Sequence, residues 1–139
     1  MIVKVGTPLG KDIIIIAVFS DSDPKGNKDK VCKIYMEEIR DLIQKINIEN
    51  DTMIAMVGDF NCGNGYEEWM GINEITEWLE IEDAAVWCGE MRATHGRTQH
   101  RLDRIYLSKE LTRWEWEFNI LKGSGLDRMR ENTIIVRCS

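Results

Sequence analysis

The chain has 139 residues, enough for one domain and too few for two ordinary ones. Its 18 Lys+Arg against 24 Asp+Glu give a net charge of −6, which excludes a uniformly basic nucleic-acid wrapper but leaves room for a local basic groove. A 43% hydrophobic content excludes a disordered chain and supplies a core.

Residues 1–5 alternate, residues 6–11 are turn formers, and residues 13–19 are a continuous apolar run. Together they predict a hairpin whose second strand is buried on both faces. That run is too short to span a bilayer, which takes about 20 residues, and it lacks the flanks of a signal peptide. Residues 21–27 read as a loop. From Lys28 to Ile46 the period becomes helical. Val31, Ile34, Tyr35, Ile39, Leu42, Ile43 and Ile46 share one face, opposite Lys30, Lys33, Glu37, Arg40 and Lys45. Residues 53–57 form a second buried strand, cut off at Gly58, and 68–79 a short helix burying Trp69, Ile72, Ile75 and Leu79. Residues 101–107 are a strand and 108–111 a capped helical turn. Residues 114–120 alternate as a half-exposed strand, and 133–137 form the last strand. The pattern is that of a single α/β layered domain over residues 1–139.

Chemistry concentrates in three places. Val57-Gly58-Asp59-Phe60-Asn61 ends a buried strand with a carboxylate and a carboxamide two residues apart. Alternation points Asp59 and Asn61 the same way and returns Phe60 to the core. The carboxylate can hold a divalent cation or orient an attacking water, and the amide can donate to a phosphoryl oxygen without adding charge. The plainer reading makes both residues turn formers after a strand. Downstream, Thr94 precedes Arg101-Leu102-Asp103-Arg104-Ile105-Tyr106-Leu107-Ser108, which sets Asp103 within an apolar strand. A buried carboxylate needs a partner, and Arg101 and Arg104 are the candidates for a purely structural ion pair. Finally, Gly123-Ser124-Gly125-Leu126-Asp127-Arg128 delivers an aspartate shortly before the last strand.

Residues 92–104 hold four arginines against Asp103, a local charge of +3, with His95 and His100 between them. They form either a phosphate-gripping stripe or arginines paired with nearby carboxylates. The five tryptophans read as core and interface anchors rather than base-stacking platforms. Cys32, Cys62, Cys88 and Cys138 are scattered, as expected of reduced thiols in an intracellular compartment. A zinc site combining them with His95 and His100 would lack the close ligand pairs such sites use.

Gly-Asp-Phe-Asn, then Thr94 and Arg-Leu-Asp-Arg-Ile-Tyr-Leu-Ser, then an aspartate loop before a final strand, resemble the endonuclease/exonuclease/phosphatase superfamily, the deoxyribonuclease-I-like enzymes. The strings are similar in particular to endonuclease domains of non-LTR retrotransposons. The resemblance implies part of a layered α/β sandwich, one mainly antiparallel or mixed sheet with flanking helices. It also implies hydrolysis of phosphoester bonds with Mg²⁺ or Mn²⁺. Asp59 would be the general base or water-orienting carboxylate, Asn61 a ligand to the scissile phosphate, and Asp103 a supporting residue. Asp127 would be the aspartate that orients a catalytic histidine. Thr94, Arg97, Arg101 and Arg128 would contact substrate.

The departures carry information too. Leu126-Asp127-Arg128 stands where the family has Ser-Asp-His, and arginine is no acid–base group near neutral pH. Phe19 stands where the family has a tyrosine hydroxyl. The likeness covers the C-terminal portion of the family's domain, without the segment that supplies the metal-binding glutamate. A nuclease that is weak or inactive as an isolated chain is therefore one expectation, and a catalytically dead structural or interaction module the other. A sheet apolar on both faces also predicts a partner over one of them: a second chain, self-association or a large assembly.

Overall fold

The computed structural model describes residues 1–8, 10–19, 28–46, 52–61, 70–89, 101–113, 116–121 and 133–138. Five strands form one mixed sheet: β1 (Ile2–Gly6), β2 (Asp12–Phe19), β3 (Met53–Asp59), β4 (Ile81–Asp83) and β5 (Asp103–Ser108). Their spatial order is β1-β2-β3-β5-β4. The expected hairpin is present, with β1 antiparallel to β2. The helix α1 (Lys28–Ile46) then carries the chain over to β3, parallel to β2. β5 returns antiparallel to β3, and β4 lies antiparallel to β5. Two further helices, α2 (Met70–Leu79) and α3 (Ala84–Cys88), flank β4 in sequence. A separate antiparallel hairpin joins β6 (Trp116–Leu121) and β7 (Thr133–Cys138). No described helix is long and apolar enough to cross a membrane.

The unbroken apolar run of β2 follows from its two covered faces. Ile14, Ile16 and Val18 point to the helices and are at most 4% exposed, whereas Ile13, Ile15 and Ala17 are half-buried on the other face. On the helix side, Met36, Ile39 and Ile43 of α1 and Ile72 and Ile75 of α2 pack on Ile14, Ile16, Ile54, Met56 and Tyr106. Two expectations fail here. Leu42 of α1 is 46% exposed, and Met36, unclaimed by the periodicity, takes a buried place. The opposite face carries a smaller cluster in which Ala84 and Ala85 of α3 and Leu111 cover Met53 and Leu107.

β3 does not stop at Gly58 but runs through it to Asp59. Gly58 has φ 142° and pairs in register with Val18 of β2. A Cβ on Gly58 would lie 1.8 Å from the Val18 carbonyl oxygen, so only glycine lets the backbones approach there. Periodicity misses two short elements, β4 and α3, and α3 is a capped turn. Asp83 accepts the Ala85 N–H at 3.0 Å, and Gly89 closes the helix with φ 71°.

Gly58→Ala is expected to cost at least ~4 kcal/mol, since it combines a backbone overlap with a φ that side chains avoid. Urea denaturation, or loss of folded protein on expression, would register it. Leu42→Ala, on exposed helix surface, is expected to change stability by under ~1 kcal/mol.

Candidate active site

The carboxyl end of β3 is built by three constraints. Gly58 brings β3 against β2, and the register then sets Asp59 between Phe19 of β2 and Asp103 of β5. Phe60 turns to the core as expected, 1% exposed, with its ring edge-on to Tyr106 at 5.5 Å and 75°. Its N–H donates to the Leu102 carbonyl at 2.9 Å, which prolongs the β3–β5 ladder past Asp103.

Asn61 reaches Asp59 by a different route from the one alternation predicts. Its backbone leaves the strand with φ 46°, a left-handed conformation that asparagine tolerates. The Asn61 N–H donates to Asp59 Oδ1 at 2.8 Å. A side-chain-to-backbone turn, not strand periodicity, keeps the two together. One oxygen of Asp59 is thereby fixed, which orients its carboxylate.

Asp103 is more than a neighbour on an inner strand, because it lies directly opposite Asp59 in the antiparallel register. Opposed residues have Cβ atoms roughly 4.5–5.5 Å apart and point to the same face, so the two half-buried acids form a pair. Sequence reasoning found each acid but not the pairing, since only the register reveals it. Phe19 completes the row and is 70% exposed.

Two arginines of this region are buried in the fold, and one of them is paired with a nearby carboxylate, the second of the two readings open from the sequence. Arg101 is 5% exposed, and its two terminal nitrogens grip Asp83, Nη1 to Oδ1 at 3.0 Å and Nη2 to Oδ2 at 2.5 Å. It was a candidate for substrate contact or for pairing with Asp103. Instead its charge is committed to the aspartate that caps α3, because a buried guanidinium needs a bidentate acceptor. Arg104 is 3% exposed, and its Nε and Nη2 donate to the Arg101 carbonyl at 3.1 and 2.8 Å. Thr94, Arg97, Asp127 and Arg128 lie outside the described residues, as do His95 and His100.

Paired carboxylates at a strand end suit water activation or a hard divalent cation. Among the described residues, however, no group of three or more His, Cys, Asp or Glu side chains is arranged to hold a metal. Asp59 and Asp103 offer two hard oxygen donors and by themselves are an incomplete donor set for Mg²⁺ or Mn²⁺. Cys88, the cysteine whose side chain is described, is exposed, and partial desolvation raises its thiol pKa. The cavity of about 910 Å³ between the C-terminal ends of α1 and α2 is lined by Ile43, Trp78, Glu80 and Ser108, at the opposite end of β3 from Asp59. Trp78 and Trp87 are not core residues: they are 42% and 43% exposed, and Arg40 stacks over Trp78 at 5.4 Å.

No family model and no curated protein matches the sequence. Solved structures do. The endonuclease domain of TRAS1, a telomere-specific non-LTR retrotransposon, superposes with a TM-score of 0.66 at 14% identity, covering 97% of this chain and 59% of that one. The 3′ phosphatase NExo from Neisseria, bound to a product DNA hairpin, gives 0.66 at 13% identity, over 99% of this chain and 64% of its own. TDP2 from D. rerio, complexed with a single-strand DNA product, gives 0.62 at 18% identity, over 99% and 59%. The chain thus shares the mixed α/β fold of these structures, with an open five-stranded sheet. It spans less than two thirds of the length of each of these structures. The TRAS1 domain is of the retroelement kind that the Gly-Asp-Phe-Asn and Arg-Leu-Asp-Arg-Ile-Tyr strings resemble.

The Arg101–Asp83 pair is 6% and 13% exposed at the side chains, so breaking it leaves a buried charge. Arg101→Ala is expected to cost about 3–5 kcal/mol, whereas Arg101→Met with Asp83→Leu recovers most of that loss. A double-mutant cycle in urea checks the coupling.

Proposed function

We propose that the chain is a divergent nuclease-like domain related to metal-dependent phosphodiester hydrolysis of nucleic acid, with little or no activity as an isolated chain. The observation that carries this reading is the Asp59–Asp103 pair at the strand end, with Asn61 turned back onto Asp59. In this reading Asp59 orients the attacking water, its position held by the Asn61 N–H. Asn61 supplies an amide to the scissile phosphate, Asp103 supports Asp59 from across the sheet, and Asp127 serves with them. Thr94, Arg97 and Arg128 meet the substrate backbone. Mg²⁺ or Mn²⁺ is the cofactor, with further carboxylates supplied from outside the described residues. The scattered cysteines fit a reducing intracellular compartment, and a second chain, self-association or larger assembly covers the apolar sheet face.

A specific observation favours a second reading. Arg128 follows Asp127 where the resembling motif has histidine, and arginine is no acid–base group near neutral pH, as befits a non-catalytic interaction module. One experiment separates them. The purified chain is incubated with supercoiled plasmid and with abasic-site DNA in Mg²⁺ or Mn²⁺, beside Asp59→Ala and Asp59→Asn. The expected result is slow metal-dependent nicking, reduced at least ~100-fold by either substitution, as befits loss of a water-orienting group. Nicking unchanged by both substitutions overturns the assignment of Asp59. No nicking with either metal excludes the weakly active form of this reading and favours the module.

A further inference from the structure

The face of the sheet away from α1 and α2 is only partly covered. By the register it carries Val3 and Val5 of β1, Ile13, Ile15, Ala17 and Phe19 of β2, and Ala55 and Val57 of β3. α3 and Leu111 pack over Met53 and Leu107, and Ile13, Ala55 and Ile105 pack against that cluster, so the face is covered at the start of β3 and left open toward β1 and Phe19. On the β1–β2 side, Val3 and Val5 are each 41% exposed and Phe19 70%. A flat, contiguous apolar strip of this kind in water marks an interaction surface.

Its charges sit at opposite ends. Alternation along β2 puts Lys11, exposed and immediately before the strand, on the same face as Ile13 and Phe19. At the other end Asp59 and Asp103 face each other beside Phe19. The strip therefore runs from a cation, through apolar side chains, to a pair of anions. Such a surface is self-complementary under a two-fold axis that lies in the plane of the interface and runs across the strands. Each copy's lysine then meets the other's acid pair, and the apolar rows meet in between. We propose that a second copy of this chain docks on this face, antiparallel and two-fold related, as the second layer of a sandwich. Three strands at ordinary spacing and rise give a strip roughly 14 Å by 25 Å. Two such strips with their relief bury on the order of 1,000 Å², the lower end of a specific interface, so the dimer is weak and concentration-dependent. The inference rests on the fold and the face, not on hydrolysis, and its readout is mass rather than cleavage.

Sedimentation equilibrium across a wide concentration range, at physiological ionic strength, tests it with the chain alone. The expected result is a monomer–dimer equilibrium. Phe19→Lys, at a side chain too exposed to hold the fold, raises the dissociation constant by about tenfold or more through lost apolar contact. Lys11→Glu raises it about threefold to tenfold, since each dimer holds two such contacts. Circular dichroism confirms that both variants stay folded. A chain that remains monomeric throughout, or forms larger assemblies, overturns the proposal. A dimer indifferent to Phe19→Lys places the interface elsewhere, and one indifferent to Lys11→Glu removes the two-fold arrangement; either overturns it.

Discussion

The approach of β3 to β2 at Gly58 is the constraint on which the rest of the strand end depends. With φ 142° and no side chain, Gly58 lets the Val18 carbonyl sit where a Cβ would be. The register of β3 against β2 is thereby carried to its last residue, so Asp59 lies in line with Phe19 on one side and Asp103 on the other. A slip of one residue would send both acids to the helix-covered face and expose Phe60. Glycine here is thus a positional device rather than a strand breaker, and the acid pair inherits its placement from it.

Around that point the structure separates the charged groups by task. The buried arginines serve the scaffold: Arg101 clasps Asp83, and Arg104 braces the Arg101 carbonyl. The half-buried acids stand at the carboxyl end of β3. Buried cations engaged by fixed acceptors cannot swing toward a phosphate, while carboxylates at a strand end can meet water or a cation. A local charge of +3 in the sequence is therefore a poor guide to where an anion would bind. Two of its four arginines are neutralised or hydrogen-bonded inside the fold.

Much of the architecture was legible because it obeys simple periods. The bounds of α1 coincide with the helical stretch of residues 28–46, and β2 declares itself by seven consecutive apolar residues. What escaped had other causes. α3 is too short for periodicity, although its brackets, Asp83 before and Gly89 after, are ordinary capping signals. Met36 and Leu42 exchanged roles because an apolar stripe read from one helix does not reveal which of its flanks meets the sheet and α2. The individual site residues Asp59 and Asn61 were readable from one short string. That Asp103 faces Asp59, and that Arg101 belongs to Asp83, depends on long-range register, for which the sequence holds no local sign.

The clasp between Arg101 and Asp83 has a further effect on how the chain can vary. Its two members are 18 residues apart in sequence and lock the chain on both sides of the intervening stretch onto β4, α3 and the entry to β5. The start of β5, and with it the register that sets Asp103 opposite Asp59, is thereby tethered by an ion pair two residues upstream of Asp103. A change at either member of the clasp is transmitted to the acid pair, so these two positions are bound to vary together.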